Sequence, residues 1–68
     1  MPETPLSDRD FDLVSTIYHA AKGARISRQH AADAREANDQ EAAAFLETAR
    51  KQYDDLAARG CQLLKQRL

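Results

Sequence analysis

The sequence predicts an all-α protein: a two-helix antiparallel hairpin that dimerises into a four-helix bundle. Three observations lead to this fold. Alanine, leucine and long straight-chain polar residues dominate, and both prolines lie within the first five positions, a composition that favours helix. Apolar residues recur at three- and four-residue steps along two long stretches, the signature of amphipathic helix. One break, "EANDQE", separates those stretches and is rich in residues that end one helix and start another.

The first helix is expected over 7–37. Ser7 is a good N-cap, and Asp10 three positions later supplies the acidic half of a capping box. Leu6 and Phe11 have the spacing of a hydrophobic staple. Asp8, Asp10 and Asp12 place negative charge at the positive end of the helix dipole. Leu13, Val14, Ile17, Ala20, Ala21, Ala24 and Ala31 then form an apolar face. Gly23 costs this helix about 1 kcal/mol relative to alanine, which weakens it without ending it.

The turn falls at 38–39. Asn38 tolerates the left-handed conformation that terminates helices, and Asp39 is a good N-cap for the next helix. That second helix is expected over 40–67. Ala42, Leu46, Ala49, Tyr53, Leu56, Gly60 and Leu63 alternate steps of four and three, which is a heptad seam. Phe45, Ala57 and Leu64 widen it, and Lys65 and Arg67 stand where cations favour a helix C-terminus.

Two helices of about 28–30 residues, each roughly 40–45 Å long, joined by a tight turn make a hairpin with a single mutual face. A chain of 68 residues gains little from so small a core and needs other support. The lone Cys61 makes no intrachain disulfide, and no zinc-type Cys/His spacing exists. Oligomerisation is the remedy left, so a homodimer or a multiple of dimers is expected. Its bundle interface is expected at Val14, Ile17, Ala21, Leu46, Ala49, Tyr53, Leu56 and Leu63.

Charge and motifs narrow the function. The net charge is -1, with acids and bases interspersed. There is no basic stripe for nucleic acid, and both helices are too long for a turn-plus-recognition-helix unit. No stretch approaches a membrane span, and "MPETPLSDRD" lacks the pattern of a signal peptide. A cytoplasmic protein is expected, with Cys61 reduced. No phosphate-binding, dinucleotide, zinc-protease or nucleophile-elbow motif occurs. No catalytic residue is assigned.

The segment "YHAAKGARISRQH" carries the densest candidate chemistry. Its histidines, His19 and His30, are eleven residues apart, or roughly 16 Å along the helix axis. They cannot share an ion within one chain. With Ile26 they form a stripe away from the Val14–Ile17–Ala21 face, a second interface on which a larger partner could dock. Arg25 and Asp54 are expected to form a charge pair, within one hairpin or across the dimer, because arginine near an interior needs a carboxylate. His30, Asp33 and Glu47 fall at one level of the hairpin, and such a trio could hold a divalent ion.

The stretches "LVSTIYHAAKGA" and "ADAREANDQEAAAFL", together with the helix lengths, resemble the short ferritin-like hairpins of the encapsulated-ferritin type over residues 11–66. The resemblance implies dimerisation into a four-helix bundle. It also implies a di-iron site built from a glutamate of the first helix and a Glu-x-x-His of the second. Set in register on "NDQE", the glutamate position falls on Arg25, and the Glu-x-x-His positions fall on Tyr53 and Leu56. The resemblance therefore implies the fold without its ligands. The expected function is that of a non-catalytic helical protein that oligomerises or binds a protein partner, without a cofactor. The alternative is an iron- or metal-handling protein using a non-standard or intersubunit site.

Overall fold

The computed structural model describes residues 7–68. Within them the chain is two α-helices, α1 over Asp8–Glu36 and α2 over Gln40–Arg67, packed side by side as one hairpin. Leu6, and with it the expected staple to Phe11, lies outside the described residues.

Local chemistry sets the ends. Ser7 Oγ accepts from the Asp10 backbone N–H at 3.1 Å, which satisfies one of the unpaired donors at a helix start. The Asp10 carboxylate does not complete a box with Ser7. It accepts from Arg67 Nε at 2.8 Å, clipping the first turn of α1 to the last turn of α2. At the other end Asn38 takes φ 62°, the left-handed geometry its short polar side chain tolerates. The Asn38 N–H donates to the Arg35 carbonyl at 3.0 Å, and the Asp39 N–H to the Ala34 carbonyl at 2.9 Å. These two bonds are a Schellman closure. Asp39 then caps α2, its carboxylate accepting from the Ala42 N–H at 3.1 Å. The turn is thus Ala37–Asp39, with α1 ending one residue earlier than its sequence pattern suggests.

The helices meet along a seam of small residues. On α1 the shielded row is Leu13, Ile17, Ala20, Ala24, Ser27, Ala31 and Ala34, alternating four- and three-residue steps. On α2 it is Ala43, Leu46, Arg50, Ala57, Gly60 and Leu64, with Tyr53 half-shielded among them. Among the described residues only Ala20, Ala24, Ala31, Ala43 and Ser27 are buried, and no large side chain is. The α2 seam is therefore rotated one position from the Ala42–Ala49–Leu56–Leu63 row that hydrophobicity favours. Packing α2 on an alanine row brings Ala43, Ala57 and Gly60 inward and turns Leu56 and Leu63 out.

Both glycines of the chain belong to this seam. A Cβ on Gly60 would lie 2.6 Å from Ile17 Cγ1, and one on Gly23 would lie 3.0 Å from the Tyr53 ring. Each glycine is a notch that receives a large side chain from the opposite helix, which accounts for a residue that helices otherwise disfavour. With Asp10 facing Arg67 and Ile17 facing Gly60, the register places Ala24 level with Tyr53 and Ser27 level with Arg50. Gly60→Ala should lower unfolding free energy by about 1–2 kcal/mol, because overpacking against a stiff β-branched side chain outweighs alanine's better helix propensity. Urea unfolding followed by circular dichroism measures this. A variant as stable as the parent would contradict the notch.

Candidate functional site

A one-layer hairpin has two open faces, and helix geometry assigns each residue to one of them. The ring of Tyr53 lies against Gly23. Thr16 shares a hollow of about 290 Å³ with Leu56, Arg59 and Leu63. The row Thr16–Gly23–His30 of α1 therefore lies on the same face as the row Ala49–Leu56–Leu63 of α2. The other side of the α1 seam carries the rows Val14–Ala21–Arg28 and Phe11–Tyr18–Arg25. Opposite them on that face is the α2 row Glu47–Asp54–Cys61. We refer to the two faces as the Leu56 flank and the Tyr18 flank.

Large apolar side chains are concentrated on these flanks. On the Leu56 flank Phe45 is 70% exposed, and Tyr53, Leu56 and Leu63 are also exposed. On the Tyr18 flank Phe11 is 61% and Tyr18 58% exposed, with Val14 beside them. The expected interface residues are thus divided. Ile17 and Leu46 serve the intrahairpin seam, Val14 and Ala21 lie on the Tyr18 flank, and Ala49, Tyr53, Leu56 and Leu63 belong to the Leu56 flank.

The charged residues organise around Arg50. Its Nε and Nη2 both donate to Glu47 Oε2, at 3.0 and 2.7 Å, and its Nη1 donates to Asp54 Oδ2 at 2.7 Å. A guanidinium at a seam position thereby reaches two carboxylates one turn to either side, the i,i+3 and i,i+4 spacings that bring helix neighbours together. The Arg50 hydrogen bond, helped by its charge, holds the Glu47 carboxyl below its ordinary value of 4.5, and Glu47 in turn raises Arg50. Sequence reasoning misses this clasp, although the spacing of Glu47, Arg50 and Asp54 carries it. Asp54 is therefore engaged by Arg50, and none of the ion pairs among the described residues includes Arg25.

The other candidates are dispersed. His30 and Glu47 are level along the hairpin but lie on opposite flanks. Asp33 accepts from Gln29 Nε2 at 3.0 Å instead. Among the described residues no three His, Cys, Asp or Glu side chains gather closely enough to hold a metal ion. His19 packs edge-on to the Tyr18 ring, centroids 5.3 Å apart, and His19, Ile26 and His30 are all exposed. Cys61 is a free, exposed thiol. Among the described residues no helix is long and apolar enough to cross a membrane.

Comparison with known proteins gives no match of this chain to a family model, a curated protein or a solved structure.

The Glu47 carboxyl gives a pH signature. With the folded value depressed, its stabilisation is complete above the unfolded value and is lost as pH falls through the folded one. Helix unfolding midpoints measured across the acid range should fall below pH 4.5, and fall less steeply in Glu47→Gln. Equal slopes for parent and variant would contradict the clasp.

Proposed function

We propose that this chain is a non-catalytic helical module whose function is self-association and partner binding, with the hairpin as half of a four-helix bundle. One observation carries the reading: the buried side chains are small, while Phe11, Tyr18, Phe45, Leu56 and Leu63 are exposed. A buried methyl group stabilises by only about 0.8 kcal/mol, whereas ordering each residue costs about 1–2 kcal/mol. An alanine seam is thin support for a chain of 68 residues. The apolar area that would make up the difference is on the flanks, the kind of exposed patch that association covers.

Two flanks on opposite faces serve two contacts. A two-fold dimer covers one face of a single-layer hairpin and leaves the other for a protein partner, whereas self-contacts through both faces would propagate into an open stack. The ferritin-like resemblance is, in this reading, one of layout. Arg25, Tyr53 and Leu56 stand where that family would place its ligands, and the function needs no cofactor. A lone exposed thiol suits a reducing compartment, the cytoplasm.

Light scattering on the eluting protein tests the reading. The mass should be at least twice the chain's 7.6 kDa at micromolar concentration. A fully helical species of single-chain mass would overturn it.

A further inference from the structure

We infer that the Tyr18 flank is the self-association surface, covered by a second copy of this chain with α1 of each copy lying on α2 of the other. The inference rests on the self-association reading and gives it a face and a register.

The flank is divided both lengthwise and across. Near the open end of the hairpin it carries apolar side chains on both helices: Val14 and Tyr18 on α1, with Cys61 on α2 beside the seam's Leu64 and before Lys65. Toward the turn it becomes charged, with arginines on α1 and two carboxylates on α2, where Lys51 stands one turn from each carboxylate. α1 presents Arg25 and Arg28, both exposed, and α2 presents Asp54 and Glu47.

The charges on the two helices are unevenly satisfied within one hairpin. Between Asp12 and Asp33 α1 contains no carboxylate at all, and neither Arg25 nor Arg28 enters an ion pair among the described residues. On α2 one guanidinium serves two carboxylates, through Glu47 Oε2 and Asp54 Oδ2. Glu47 Oε1 and Asp54 Oδ1 remain free to accept, and the cluster of three charges is net negative.

A two-fold axis parallel to the helices preserves level and exchanges α1 for α2. It brings apolar residues onto apolar residues at the open end. Toward the turn it lays Arg25 and Arg28 of one copy against Asp54 and Glu47 of the other. Such complementarity fixes register and disfavours the reversed arrangement, which would lay the charged half of one copy on the apolar half of the other. The Leu56 flank lacks this symmetry, because its apolar side chains sit mostly on α2, while α1 offers Thr16, Gly23 and His30 with Ile26 alone beside them.

Charge reversal tests the assignment. Sedimentation velocity at low salt should show the double variant Arg25→Glu/Arg28→Glu dimerising more weakly than the parent, by on the order of ten- to a hundredfold, with circular dichroism confirming that it is helical. Mixing it with Glu47→Lys/Asp54→Lys should restore a heterodimer. Should that second variant fail to fold, Tyr18→Cys gives an independent readout. Mild oxidation should link the introduced sulfur to Cys61 of another chain, identified by peptide mapping. If the parent dimerises and the reversed-arginine variant does so equally well, or the only cross-link joins two Cys61 residues, the interface lies elsewhere and the inference fails alone. A parent that stays monomeric removes the self-association reading as well.

Discussion

The rest of the structure depends on the close packing of α1 against α2 through alanine. Ala20, Ala24, Ser27 and Ala31 leave no room for a bulky layer between the helices, so only small groups or side chains with a notch opposite can enter. Ile17 and Tyr53 enter because Gly60 and Gly23 yield space. Arg50 enters because its guanidinium reaches out of the seam to two carboxylates. Leu13, Leu46 and Leu64 line the seam's edges half-buried, and the remaining large apolar side chains are displaced to the flanks. The outward leucines and aromatics are thus a consequence of the inward alanines.

The ends of the hairpin hold the two rows in register. The Schellman closure at Asn38 fixes where α2 starts relative to α1, and the Asp10–Arg67 ion pair, 2.8 Å at the far end, agrees with the same alignment. An exposed pair of this kind contributes only about 0–1 kcal/mol, so its role is in register more than in stability. The turn and the notches carry the specificity. A slip of one residue along the seam would set Ile17 against a side chain instead of Gly60.

Much of this architecture is legible in the sequence. Ser7, Asn38 and Asp39 mark helix ends through chemistry that acts over three or four residues, and the structure uses each of them. The long three-four periodicity specifies both helices, and an antiparallel turn near Asn38 sets the level of one against the other. What stays concealed is which side of each helix turns inward. Hydrophobicity ranks Leu56 above Ala57, whereas close approach ranks by volume, so the α2 seam keeps Leu46 and Gly60 from the expected row and takes Ala57 in place of Leu56. That shift of the seam separates His30 from Glu47 and divides the expected interface between two faces. Arg50 escapes notice because a charge at a seam position reads as solvent-facing until its partners at i-3 and i+4 are counted.

For function, the consequence is a set of large apolar side chains left exposed beside the charged ones. A hairpin that stands alone would place Phe45, Phe11 and Tyr18 in water and retain only a thin alanine contact, whereas an associating one converts those side chains into a core. In the proposed dimer, folding and association would be one equilibrium, and stability would depend on concentration. The most direct measurement is the thermal midpoint of helix loss over a hundredfold dilution series. The account predicts a midpoint that falls steadily on dilution, with the transition following a dimer-to-unfolded-chain law. A midpoint that stays constant across the series, in a species of single-chain mass, would contradict it.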